Sequence, residues 1–294
     1  METVPAKTIV TKTKRPDDWF GADFNMNIYR GCSHGCIYCD SRSACYRNPN
    51  FDTVKVKENA LQIIRDDLRG KTKRGVVATG AMSDPYNPWE QKLGLTRKAL
   101  ELLDFYQFGV AIDTKSALVT RDLDVLQEIK AHSPVLIKLT VTTADSGLCS
   151  KIEPRVSSPQ ERFAAIRTLS DGGIFCGVLM MPILPFLNDT EENIREITKQ
   201  AKDAGARFIY PAMGMTLREG NREYFYQKLD ERFPGTTRKY MDTYGVQYVC
   251  TSPNAKRLWE TFVLECERLG LLYNMDDIIL AYKADYKQQQ LRLF

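Results

Sequence analysis

The residues best able to do chemistry in this chain of 294 sit close together in YRGCSHGCIYCD, residues 29–40, where three and then two residues separate Cys32, Cys36 and Cys39. Thiolates are metal ligands and nucleophiles. A glycine-flanked loop can turn several of them inward, which suits a ligand set. A structural zinc would need four ligands, usually as paired knuckles. Cys45 or His34 would have to be the fourth, and no second CxxC occurs. Three unrelated buried cysteines are another reading, since cysteine is commonly buried, although this density argues against it. The third reading is an iron–sulfur cluster. Four thiolates normally hold a [4Fe-4S] cluster, so three leave one iron with an open coordination position. An open position is what distinguishes a reactive metal site from a structural one.

Such a loop needs a scaffold. The composition, 43% hydrophobic and 27% charged, is that of an ordinary globular protein. The length gives one large domain, or one with an appendage, and room for a sizeable core. No stretch reads as a membrane span, and METVPAKTIVTKTKRPDDWF lacks the apolar region of a secretory signal. A cytoplasmic location is therefore expected, where the eight cysteines would be reduced or metal-bound. A net charge of +4 permits nucleic-acid contact without arguing for it.

Apolar, β-branched runs alternate with helix-period stretches from about residue 24 to 215. Candidate strands are FNMNIYR, GVVATG, GVAIDTK, VLIKLTVTT, FCGVLMMPI and RFIYPAMG. Between them lie helical patterns, one opened by Ser158 with Glu161 three residues on, a capping box. Gly172 and Gly205 fall where two of these helices should stop. Strands this uniformly apolar are covered on both faces, which implies a parallel sheet under crossover helices. The expected fold is α/β, a partial (β/α)6 TIM-like barrel, with a doubly wound sheet as the alternative. In both, functional residues belong at the C-terminal ends of the strands. Residues 1–23 read as an extension wrapping the outside and 24–215 as the barrel core. Residues 216–294 read as a small, mainly helical C-terminal region with a flexible tail at 285–294.

CxxxCxxC with Tyr38 just before the last cysteine resembles the signature of the radical SAM superfamily. The resemblance implies a [4Fe-4S] cluster on Cys32, Cys36 and Cys39 whose open iron binds S-adenosyl-L-methionine. One electron cleaves that cofactor to methionine and a 5′-deoxyadenosyl radical, which abstracts hydrogen. GAMSDPYNPWE, DTKSALVTRDLDVL, KIEPRVSSPQERFAAIRTLSDGGI, GVLMMPILPFLND and RKYMDTYGVQYVC are similar to stretches of the spore photoproduct lyase-related, DNA repair photolyase-like branch. One departure matters. Photoproduct lyases carry a hydrogen-donor cysteine near the start of what is GAMSDPY here. This chain has Ala81 and Met82 there, and no cysteine between Cys45 and Cys149. The resemblance is therefore to a broader homologue with an open substrate. An iron–sulfur adaptor or redox sensor on DNA, without SAM chemistry, is the competing class.

Further residues take roles through the same resemblance. Lys115 would meet the methionyl end of SAM, or be a solvated lysine. Thr140 would offer SAM a hydroxyl, or simply fill a strand. Tyr38, Ser83, Glu153 and Gly177 join the cofactor set, with Glu153 alternatively pairing Arg155 and Gly177 alternatively packing tightly. Asp84 and Tyr86, aimed by Pro85 and Pro88, are candidate catalytic residues, or members of a proline-rich turn. Arg238, Lys239, Tyr240, Tyr244 and Tyr248 interleave cations with aromatics, which suits nucleic acid or the packing of a small domain. His132 reads as a helix-end residue. The expected partners are a DNA or nucleotide substrate, a flavodoxin- or ferredoxin-type electron donor and no membrane. The final QLRLF resembles the peptide that docks on the bacterial DNA sliding clamp, through Gln290, Leu291, Leu293 and Phe294.

Overall fold

The computed structural model describes residues 2–15 and 19–291. Seven strands form the main sheet: β1 (Val10–Lys12), β2 (Phe24–Met26), β3 (Val76–Thr79), β4 (Gly109–Thr114), β5 (Val135–Thr140), β6 (Phe175–Met180) and β7 (Phe208–Pro211). Their order is β7-β6-β5-β4-β3-β2-β1, parallel throughout except for the antiparallel edge strand β1. The crossovers are α1 (Ala60–Arg69), α2 (Leu95–Phe105), α3 (Leu123–Lys130), α4 (Pro159–Asp171) and α5 (Glu191–Asp203). This is the partial (β/α)6 barrel expected from the alternation. The capping box at Ser158 and Glu161 opens α4, and Gly172 caps its end.

Period-2 alternation divides the strand side chains between two apolar layers. Val110, Ile112, Ile137, Leu139 and Val178 pack outward under the helices. Ala111, Leu136, Leu179 and Phe208 face the lumen, where Phe20 joins them. Gly177 sits where an added Cβ would meet the Phe208 carbonyl oxygen at 2.4 Å. Its requirement is for tight packing between neighbouring strands.

The first candidate strand breaks in two. Phe24–Met26 stays in the barrel, while Tyr29–Arg30 pairs with Lys55–Lys57, which in turn pairs with Thr3–Val4. The N-terminal segment is thus a strand of this small second sheet as well as a wrapping. The boundary drawn at Met215 falls inside a strand, Gly214–Thr216, that pairs antiparallel with Val249–Thr251. Between them, α6 (Asn221–Arg232) and α7 (Thr236–Tyr244) pack Phe225, Leu229 and Tyr240 against Ile37 and Ile152. Tyr240 and Tyr244 are therefore core residues, donating to the carbonyls of Pro185 at 3.0 Å and Thr251 at 2.6 Å. Of the candidate nucleic-acid surface, Arg238, Lys239 and Tyr248 remain exposed, and Arg238 pairs with Asp242 on its own helix.

Helix α8 (Ala255–Leu269) lies along α5, joined by Arg195–Glu265 at 2.6 Å and Arg257–Glu191 at 2.8 Å. Helix α9 (Met275–Leu291) packs Ile278 and Tyr282 into the lumen cluster. Tyr282 donates to the Phe20 carbonyl at 2.6 Å, and Lys283 donates to that of Gly21. The stretch 285–291 is helical rather than an irregular linker, and Leu293 and Phe294 lie outside the described residues. Among the described residues no helix is long and apolar enough to cross a membrane.

Candidate active site

A cavity of about 640 Å³ opens at the C-terminal ends of the strands, a volume suited to a cofactor with part of a substrate. Cys32, Cys36 and Cys39 all border it. Among the described residues, no three His, Cys, Asp or Glu side chains gather closely enough to hold a single ion. Three thiols bordering one cavity fit a polynuclear cluster with an open position.

Two buried polar chains fix the loop that carries the thiols. In the first, His34 lies 3.3 Å from Asp84, and Asp84 accepts from the Thr114 hydroxyl at 2.7 Å and the Lys115 amide at 2.8 Å. Burial pushes Asp84 up, but the His34 charge and these donors outweigh it and bring it down to about 2. Burial likewise opposes charge on His34, yet Asp84 and Cys32 raise it to about 10. Cys32 is buried, which raises it, but the hydrogen bond and charge of His34 lower it overall. Burial raises Cys36 and Cys39, and the Lys115 charge near both only partly offsets it.

In the second chain, the Tyr38 hydroxyl donates to Glu153, which pairs with Arg162 at 2.5 Å. Arg162 is fully buried and also donates to the carbonyls of Thr140 and Ser157, each at 2.7 Å. Burial pushes Glu153 up, but Arg162 and then Lys115 hold it below the usual carboxylate range. The ion pair expected of Glu153 is therefore made with Arg162. Arg155 is exposed and donates to the Ser33 carbonyl. Glu153 acts behind the cavity wall, on the ring of Tyr38.

Tyr38, Ser83, Asp84, Lys115 and Thr140 all line the cavity. Ser83 donates to the Gly31 carbonyl at the start of the cysteine loop. The Lys115 ammonium lies 5.8 Å from the centre of the Tyr38 ring. Burial lowers Lys115, but its neighbours Cys36, Glu153, Asp84 and Cys39 raise it on balance. Tyr86, Glu153 and Gly177 do not line the cavity. Tyr86 is buried and donates to Asp122 at 3.0 Å, within an ion network that includes Arg121 and Glu90. Its hydroxyl is directed into that network, and Gly177 lies against the neighbouring strand at Phe208. Ala81 and Met82 line the cavity at the rim of β3. His132 pairs with Asp104 at 2.9 Å at the end of α3. Sequence reasoning passed over Arg162, and over Asp113 and Lys138, a pair 2.7 Å apart whose aspartate lines the cavity. The signal for that pair was a lysine inside the otherwise apolar strand VLIKLT.

Residues 26–198 match the family model of the Radical SAM superfamily. The chain belongs to the radical SAM superfamily. An uncharacterized protein of Mycobacterium tuberculosis is 32% identical over 228 residues, which cover 75% of this chain and 67% of that one. An uncharacterized protein of Methanocaldococcus jannaschii is 34% identical over 196 residues, 66% of this chain and 71% of that one. Spore photoproduct lyase complexed with dinucleoside spore photoproduct superposes with a TM-score of 0.63 at 17% identity, over 88% of this chain and 76% of that one. A radical S-adenosylmethionine methyltransferase, TsrM, from Kitasatospora setae with cobalamin and [4Fe-4S] cluster bound gives 0.54 at 12%, over 85% and 52%. These likenesses carry the radical SAM fold. The cavity described above lies at the end of the barrel where that fold keeps its functional residues.

Proposed function

We propose that this radical SAM enzyme reductively cleaves S-adenosyl-L-methionine at a [4Fe-4S] cluster held by Cys32, Cys36 and Cys39. Hydrogen abstraction from a DNA or modified-nucleobase substrate would follow. The observation that carries the reading is the convergence of three thiols, Lys115 and Thr140 on one cavity at the strand ends. When bound, the cluster and SAM supply a 5′-deoxyadenosyl radical after one electron arrives from an external carrier of the flavodoxin or ferredoxin type. Lys115, its charge favoured by its neighbours, would hold the carboxylate of the methionyl group through a charge-assisted hydrogen bond. The Thr140 hydroxyl would orient the nucleoside part. Asp84 fixes the Lys115 backbone through its amide and so sets where that ammonium stands.

The test is anaerobic incubation with SAM and dithionite, alone and with damaged DNA. The expected products are 5′-deoxyadenosine and altered bases. Absence of 5′-deoxyadenosine from protein with a full complement of iron would defeat the reading. Docking on a bacterial sliding clamp is proposed through the same C-terminal residues named above, of which Gln290 and Leu291 end α9. Removal of residues 289–294 should abolish micromolar clamp binding in a fluorescence titration. Equal binding by the full and shortened chains counts against it.

A further inference from the structure

The cavity has a second polar pole, away from the cysteine loop. Asp113 lines the cavity at the inward register of β4, with its side chain 14% exposed. Its neighbour across the sheet is Lys138, whose side chain is wholly buried and whose ammonium lies 2.7 Å from the carboxylate. The other face of that ammonium meets the Phe20 ring at 4.4 Å. Phe20 in turn stands edge-on to Trp19 at 5.0 Å, and Trp19 lines the same cavity.

This pair is costly to keep. Burying two charges in a barrel lumen is commonly less favourable than filling the space with apolar side chains. The neighbouring lumen residues Ala111, Leu136, Leu179 and Phe208 are apolar. Neither the Lys138 ammonium nor Asp113 Oδ1 has an aligned hydrogen-bond partner, despite their short separation. Local violations of packing logic that line a cavity are where binding is to be sought. A carboxylate is acceptor-only, so its complement is an N–H or O–H donor. An indole in the same wall provides a broad aromatic surface.

We propose that Asp113 and Trp19 form a subsite for a planar heterocyclic base whose edge presents an N–H, as in a thymine-, uracil- or guanine-type ring. Asp113 accepts from that N–H while Trp19 covers a ring face. Lys138, 2.7 Å away, holds the carboxylate in place, as a positioning residue. The subsite deepens the functional reading above, since the ring it holds is the substrate of the chemistry proposed there. It names the recognition chemistry, and both a free nucleoside and a base within a single strand carry it.

The experiment is anaerobic equilibrium dialysis of the iron-loaded protein with SAM, using thymidine, guanosine, 3-methylthymidine and a short oligothymidylate as probes. Thymidine or guanosine should be retained. 3-Methylthymidine, which lacks the imide N–H, should be retained at least tenfold less than thymidine. Retention of the oligomer alone would assign the subsite to a base within a strand, with the free nucleoside then too weak to hold. Asp113→Ala and Trp19→Ala should each weaken retention at least tenfold, with iron content and SAM binding unchanged. Should Asp113→Ala fail to fold around an unpaired lysine, the double variant Asp113→Ala/Lys138→Met removes both charges and gives the same reading. Retention of none of the probes overturns the proposal. So does equal retention of the methylated nucleoside, or undiminished binding in the folded variants. Dialysis needs no turnover, so a protein that binds thymidine yet makes no 5′-deoxyadenosine would retain the subsite and lose the functional reading.

Discussion

The cavity is built from two walls of opposite character. On one side, the cysteine loop is held by buried charge: His34 against Asp84, and Tyr38 through Glu153 to Arg162. On the other, Met181, Pro182, Ala212, Met213, Met215 and Val249 form a wall without charged side chains, Asp113 apart. That second wall belongs to the end of the barrel and the short antiparallel pair that follows it. The two meet at Asp40, directly after Cys39, which accepts from Thr216 and pairs with Arg218, each at 3.3 Å. The lesson is a division of labour. Buried ion pairs impose one geometry and tolerate little change, as a cofactor ligand set requires. An apolar, methionine-rich wall adapts its shape, as a surface facing a variable substrate can.

The largest effect should come from the loop itself. Cys32→Ala, Cys36→Ala or Cys39→Ala should each abolish full iron loading and all SAM cleavage, read as iron per chain and 5′-deoxyadenosine. Cys45→Ala should do neither, since Cys45 is exposed and its sulfur meets Arg218 at 3.5 Å. Equal loss of iron in that variant would turn the open three-thiol wall into a closed four-cysteine site.

Next in size is the loop's support. Arg162→Met leaves a buried carboxylate unpaired and should cost about 3–5 kcal/mol in urea unfolding. The double variant Arg162→Met/Glu153→Gln should recover much of that loss. Glu153 is depressed below its ordinary value of 4.5 in the folded chain. Its ionised form therefore adds stability that is complete above that value and fades as pH falls through the lower folded one. The stability gap between the native chain and Glu153→Gln should narrow in that acid range. A gap independent of pH would assign the role of Glu153 to shape alone.

Lys115→Ala should be milder for the fold and specific for the cofactor. A lost charge-assisted hydrogen bond is worth roughly 1.5–3 kcal/mol, so SAM affinity should fall on the order of tenfold to a hundredfold. Unchanged binding in the loaded variant would remove Lys115 from the cofactor wall. The smallest effect belongs to the other side. Val249→Thr, at an exposed strand position, should shift stability by less than about 0.5 kcal/mol and leave SAM affinity unaltered. A marked loss of SAM binding there would erase the distinction between the walls.

The barrel was legible because its signals are local: apolar strands, helical periods and a capping box at Ser158. The cysteine loop was legible because its spacing is local too. The partner of Glu153 was not, because Arg155 is adjacent in sequence while Arg162 reaches inward from a helix that folds back over the strand ends. Tyr86 reads as a rim residue from its place after β3, yet tertiary packing turns it onto Asp122. The break after Met26 was hidden because the strand pattern continues through Tyr29 and Arg30 into a different sheet. Tyr240 and Tyr244 look like a binding surface in a Tyr-rich, basic stretch, and only the pairing of Gly214–Thr216 with Val249–Thr251 makes them interior.

The grip of Tyr282 and Lys283 on the carbonyls of Phe20 and Gly21 also sets a timetable. Each of these contacts spans 262 residues, and synthesis at about 5–20 residues per second separates the two ends of the contact by roughly 10–50 s. Until α9 is made, the cysteine loop exists without the helix that covers the lumen. Chains stalled before Met275 should therefore be cut by protease near Phe20, and chains released past Tyr286 should resist. The lumen is thus closed by a helix made long after the cysteine loop.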